Sequence, residues 1–126
     1  MDTLTAAKPM NNEGAGEFAR PIDLVHLARM TLGDRSIERE VLQLFARQSG
    51  SLSARIAGGE PAAVPALAHT LKGSARGVGA WRVAAAAEAV ELAASGPAPA
   101  RAAATAALSA AVEEANAIIG ELLRAH

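Results

Sequence analysis

The chain has 126 residues, of which 51% are hydrophobic and 2% aromatic, and its formal net charge is −1. This length suffices for one domain with a single core, and the near-neutral charge gives no electrostatic case for binding nucleic acid or an anionic membrane. The absence of cysteine excludes disulfides and thiolate chemistry. The N-terminus lacks the basic start and apolar centre of a leader, and no apolar run approaches roughly 18 residues. We therefore expect a cytoplasmic protein.

The first part of the chain predicts a tail, a short helix and a long helix. Residues 1–20 contain Pro, Asn and Gly without a sustained apolar period, which is typical of a flexible N-terminal tail, so the predicted domain covers 21–126. A short helix is expected from Ile22 to Leu32, and a second helix from Ser36 to Ala57. Asp34 or Ser36 would cap the second helix, whose apolar positions recur at helical spacing: Ile37, Val41, Leu44, Phe45, Leu52 and Ile56.

A third helix is predicted to begin late or with a kink, between Pro61 and Pro65. Proline fits the first turn of a helix but disrupts the turns after it, so the two prolines do not fit together in one regular helix. Its apolar positions form one stripe, made of Val64, Leu67, Ala68, Leu71, Ala75 and Val78. Gly77 and Gly79 are expected to end it.

Two further helices follow, from Ala80 to Ala94 and from Ala98 to Arg124, separated by a Ser-Gly-Pro break. The last helix repeats apolar residues at steps of three and four, the narrow seam of bundle packing: Leu108, Val112, Ala115, Ile119 and Leu122. Abundant alanine and scarce aromatics favour closely packed helices over a sheet. The predicted fold class is all-α, an antiparallel up-and-down four-helix bundle with a short extra N-terminal helix.

His69 lies off the apolar stripe of the third helix. At about 100° per residue it stands roughly 140° from the centre of the stripe, so its imidazole is expected to point to water. Lys72 and Arg76 follow on the same side, and Gly73 leaves open space beside it. Taken alone, this pattern also fits an ordinary surface histidine on a solvated face.

The reactive interpretation is phosphoryl transfer. A neutral imidazole nitrogen is a competent nucleophile towards phosphorus and needs no further base. The negative charge of a phosphohistidine would be offset by Lys72 and by Arg76. Gly73 costs about 1 kcal/mol of helix stability relative to alanine. A partner's active site that approaches His69 closely would explain its presence.

The run from His69 to Ala75, His-Thr-Leu-Lys-Gly-Ser-Ala, followed by Gly79-Ala80, resembles the signature of histidine phosphotransfer (HPt) domains of bacterial two-component phosphorelays. The resemblance extends from about Ile22 to the C-terminus. It implies a four-helix bundle whose histidine accepts a phosphoryl group from a receiver-domain aspartate or a histidine kinase and passes it to another receiver.

The same resemblance implies an orienting residue and a docking surface. Members carry a glutamine or glutamate on the next helix, 22 positions after the histidine, which hydrogen-bonds its ring; here that residue is Glu91, with Glu88 as a competitor. We expect partners to dock on exposed short side chains and one cation around His69, namely Ala62, Ala66, Gly73 and Arg76, with apolar residues of the first helix at the rim. Magnesium is expected on the receiver, and neither a metal nor another cofactor on this chain.

Two alternatives fit the same sequence. A non-catalytic helical bundle could bind receivers or a kinase without being phosphorylated, and the phosphorylated domain of chemotaxis-type kinases carries a similar histidine motif. An ATP-using enzyme is disfavoured, because Lys72-Gly73-Ser74 lacks the preceding glycine-rich loop of a nucleotide site.

The other histidines give no sign of a reactive site. His26 is expected to be a packed or capping residue, and no pair of histidines has the i, i+4 spacing of a helical zinc site.

Overall fold

The computed structural model describes residues 20–59 and 61–125, and that part of the chain consists of helices joined by short turns, without a strand. The helices are α1 (Leu24–Met30), α2 (Arg35–Gly58), α3 (Val64–Val78), α4 (Trp81–Ala93) and α5 (Ala98–Ala125). The predicted flexible tail lies outside the described residues, apart from Arg20.

The four long helices form a closed bundle, and α1 covers one end of it. Each long helix packs against the next along the chain, and α5 closes the ring by packing against α2. Every helix contributes buried apolar residues to a single core. They include Leu42 and Phe45 from α2, Leu71 from α3, Val83 from α4 and Leu108 from α5. The predicted fold class is therefore confirmed.

Local capping chemistry explains the helix boundaries, although α1 is two residues shorter at each end than the predicted helix from Ile22 to Leu32. The Asp34 carboxylate accepts a hydrogen bond from the Ile37 N–H at 3.1 Å, so Asp34 and not Ser36 caps α2. Residues Pro61–Ala63 form a separate 3-10 turn before α3, which is the interruption that the two prolines predict. Gly79 ends α3 in the left-handed conformation with φ 81°. Gly77 does not end α3, because the backbone remains helical until Val78.

Two apolar positions of α2 are wrongly predicted to face the core. Ile37 is 45% exposed and Leu44 is 57% exposed. The buried seam of α2 contains Leu42, Phe45, Ser49, Leu52, Ser53 and Ile56. Leu44 follows Leu42 by about 200° of helix rotation, so it cannot share that seam. Ile37 lies in the first turn of α2.

α1 is fastened to the end of α3 by polar contacts. The Asp23 carboxylate caps α1 at the His26 N–H, and its second oxygen accepts a hydrogen bond from Trp81 Nε1 at 2.9 Å. The His26 ring stacks edge-on against Trp81, and its Nε2 lies 3.2 Å from the Gly77 carbonyl oxygen. A Cβ on Gly79 would approach the Asp23 carbonyl oxygen to 3.0 Å, so glycine also permits this close packing.

Candidate functional site

The site begins with the outward face of α3. Buried Ala68 and Leu71 fix the rotation of the helix, because both side chains are fully enclosed by the neighbouring helices. His69 lies between them in sequence and projects from the bundle with 69% of its side chain exposed. The same rotation exposes Gly73, where an added Cβ would meet no atom within 4 Å.

Glu91 on α4 makes contact with the His69 ring. The two helices pack closely, and His69 Nδ1 lies 2.9 Å from Glu91 Oε2. An ionised carboxylate can only accept a hydrogen bond, so the hydrogen of a neutral ring is on Nδ1. The other ring nitrogen, Nε2, then retains its lone pair.

Lys72 forms an ion pair with the other oxygen of the Glu91 carboxylate. Its Nζ lies 2.7 Å from Glu91 Oε1, and its side chain is only 14% exposed, against 24% for Glu91. The close pairing with Lys72, followed by the hydrogen bond from His69, lowers the pKa of the Glu91 carboxyl below its ordinary value, and partial desolvation opposes both effects. The carboxylate therefore stays ionised at neutral pH. Its Oε1 contacts Lys72 and its Oε2 contacts His69, so the carboxylate bridges the two side chains.

The remaining charged residues lie further out. Arg76, with 55% of its side chain exposed, is 3.9 Å from Glu88 Oε1, and Glu88 is itself 49% exposed. Glu88 therefore pairs loosely with Arg76, whereas Glu91 contacts the His69 ring. The sequence placed Lys72 and Arg76 together beside His69, but only Arg76 is an extended, exposed cation.

The predicted docking residues all reach the surface. Ala62 lies in the 3-10 turn, Ala66 in the first part of α3, and both are exposed, as are Gly73 and Arg76. From α1, Leu24 is 40% and Val25 64% exposed, and the contact of His26 with Gly77 brings this helix to the end of α3.

Sequence reasoning did not single out Leu92, which follows Glu91 and is 77% exposed. The signal for it is an apolar side chain that falls outside the buried stripe of α4, whose buried members are Val83, Ala84, Ala87 and Val90. This exposed leucine adds apolar surface to the outer face of α4, one residue beyond Glu91.

The described residues offer no group of three histidine, aspartate or glutamate side chains arranged to hold a metal ion. None of the described helices is long and apolar enough to cross a membrane.

Comparison with known proteins gives one family. The model of the family described as "Hpt domain" matches residues 39–122, which contain α3, α4 and all three members of the His69, Lys72 and Glu91 cluster. No curated protein and no solved structure matches the chain.

Proposed function

Because the chain belongs to the Hpt domain family of two-component signalling, we propose that it relays a phosphoryl group through His69 between receiver-domain aspartates, or from a histidine kinase to a receiver. The observation that carries this assignment is the contact of an exposed imidazole with an ionised carboxylate through Nδ1. That contact supports Nε2 as the reactive nitrogen. The chain would act as a phosphoryl carrier without an ATP site of its own.

The transfer step needs only groups that the two partners provide. Nε2 of neutral His69 attacks the phosphorus of the receiver's aspartyl phosphate, an N–P bond forms, the P–O bond breaks, and the aspartate leaves as a carboxylate. Nδ1 keeps its hydrogen throughout, and the Glu91 carboxylate stabilises the positive charge that develops on the ring. The reverse sequence returns the phosphoryl group to another aspartate, so one arrangement serves both directions.

The surroundings of His69 support docking of a receiver. The short side chains of Ala62 and Ala66 and the missing side chain of Gly73 leave room for a partner's active site to approach the ring. We assign the exposed apolar rim to Leu24 and Val25 and the electrostatic contact to Arg76, which would face the acidic pocket of a receiver. Magnesium would be bound by that receiver pocket and not by this chain. Such a relay would operate in the cytoplasm.

The proposal is tested by direct phosphotransfer. The full chain is incubated with a phosphorylated receiver, and label that is acid-labile and alkali-stable is expected on the wild type and absent from His69→Gln. Arg47→Gln is the control, because Arg47 is exposed on α2 and belongs neither to the His69 cluster nor to the proposed docking surface. A correctly folded wild type that takes no label from any of a broad panel of receivers and kinases would favour the interaction-only bundle instead.

A further inference from the structure

A cleft of about 510 Å³ opens at the end of the bundle away from α1. Its walls combine the last turns of α2, the 3-10 turn and first residue of α3, the end of α4, and the first three turns of α5. The apolar lining includes Ile56, Val64, Val90, Ala94, Ala102 and Ala106. Its volume falls within the range of about 300 to 1,000 Å³ that small-ligand sites occupy.

The cleft exists because the two ends of the bundle are filled by side chains of different size. At the α1 end, Ile22 and Leu27 fill the core, being 1% and 2% exposed. At the opposite end, α5 contributes alanines, and their side chains are too short to fill the space between α2 and α4. Apolar surface therefore remains accessible there, and a molecule that covered it would gain hydrophobic free energy.

The charge of Arg101 at the cleft favours an occupant with an anionic group. Among the lining residues that the structure describes, Arg101 is the one that carries a charge, and the half-buried hydroxyl-bearing residues Thr105 and Ser109 lie one and two turns further along α5. Arg101 Nη1 donates to the Gly96 carbonyl oxygen at 2.6 Å, which holds the guanidinium near the loop before α5. A guanidinium has five N–H donors, so others remain for an anionic group.

We propose that this cleft binds a small anionic amphiphile of the fatty-acid class, with its aliphatic tail between the alanines of α5 and the apolar residues of α2 and α4 and its carboxylate at Arg101. This site is separate from the proposed phosphoryl transfer and does not depend on it. It nevertheless adjoins the elements that hold the reactive pair, because Val90 precedes Glu91 directly and Val64 lies five residues before His69.

The experiment measures binding of decanoate, below its micelle concentration, to the full chain by calorimetry. We expect saturable one-to-one binding that Arg101→Gln weakens about fivefold, the upper range for an exposed charge pair, and that Arg101→Lys largely restores. Filling the cleft with Ala102→Leu and Ala106→Leu is expected to weaken binding by at least about tenfold, since the tail loses its apolar contact surface. The matched control is Ala103→Leu with Ala107→Leu, on the exposed outer side of α5 and outside the cleft.

Several results would overturn the proposal. Absence of saturable binding to the wild type would do so, as would equal affinity for decanoate and decyltrimethylammonium, because the second carries the opposite charge. Binding that survives in the filled variant, with helix content unchanged by circular dichroism, would show that decanoate binds elsewhere. A wild type that sediments as a dimer, and a filled variant that sediments as a monomer, would assign the cleft to a second copy of the chain. None of these measurements depends on phosphotransfer.

Discussion

The Lys72 ammonium lies 2.7 Å from Glu91 Oε1, on the carboxylate oxygen that does not contact His69. We therefore propose that Lys72 acts on the imidazole through Glu91, because its small exposed fraction leaves little of the cation available to a phosphoryl group in solution. The residue is better described as a positioning residue than as a direct counter-ion. This assignment separates the expected behaviour of Lys72 from that of Arg76.

Replacing Lys72 with alanine is expected to slow phosphotransfer at saturating receiver by roughly tenfold, the lower range for removing a partner that orients a reactive group. Because the pairing with Lys72 is the largest contribution that lowers the pKa of Glu91, that pKa should rise towards its ordinary value in the variant. Carboxyl NMR titration of Glu91 measures the change. A normal transfer rate together with a raised pKa would separate Lys72 from catalysis, and an unchanged pKa would contradict the contact itself.

Replacing Arg76 with alanine is expected to act on docking instead. Its exposed guanidinium has only a distant contact with Glu88, at 3.9 Å, so its loss should raise the receiver concentration needed for half-maximal rate by about threefold and leave the maximal rate unchanged. The effect should fade as salt is added, because exposed charges are screened. Rates measured over a receiver concentration series at low and high salt provide the test, and a fall in maximal rate would contradict a docking role.

Glu91→Ala is expected to reduce transfer by roughly 10- to 100-fold, since the ring loses the acceptor that fixes its tautomer. Glu91→Gln retains a carbonyl oxygen that can accept from Nδ1–H, so most of the rate should return. Glu88→Ala, one turn earlier on α4, is the matched control and should transfer at the normal rate at saturating receiver, because Glu88 contacts Arg76 and not the His69 ring. Equal losses in the alanine and glutamine variants would indicate that negative charge, and not ring orientation, is the contribution of Glu91.

Apart from the contact between Glu91 and His69, which the family resemblance implies, the parts of this site that sequence could predict are those encoded within one helix. Period and capping indicated that His69 faces outward on α3, that Asp34 or Ser36 caps α2 and that the two prolines interrupt the chain before α3. The ion pair between Lys72 and Glu91 depends on the relative register of α3 and α4, which the apolar pattern of either helix alone does not determine. The attachment of α1 likewise depends on an indole and a carboxylate 58 residues apart.

Two substitutions of Gly73 should distinguish the effect of side-chain bulk on phosphotransfer from the effect of the glycine on helix stability. Gly73→Leu is expected to impair transfer at least about tenfold by blocking close approach of a receiver. Gly73→Ala should raise the free energy of unfolding by up to about 1 kcal/mol, because an added Cβ meets no atom within 4 Å. Gly50→Leu is the matched control: it is also an exposed mid-helix glycine, but its Cβ would face Asn116 Nδ2 at 4.0 Å, in the groove between α2 and α5. Normal transfer by Gly73→Leu would mean that this glycine serves only folding.

Asp23 should make the attachment of α1 depend on pH. The hydrogen bond from Trp81, followed by the one from the His26 N–H, lowers the pKa of this carboxyl below its ordinary value. A pKa lowered by folding gives stability that is present above the unfolded-state pKa and is lost as the pH falls through the folded-state value, here below about pH 4.

The free energy of unfolding at each pH is measured by urea unfolding, followed by the fluorescence of Trp81, the chain's single tryptophan. At pH 7, Asp23→Ala should cost about 1 kcal/mol through loss of the helix cap, and the difference from wild type should shrink in acid. A difference that stays constant from pH 7 to pH 3 would show that the ionised carboxylate is not what holds α1.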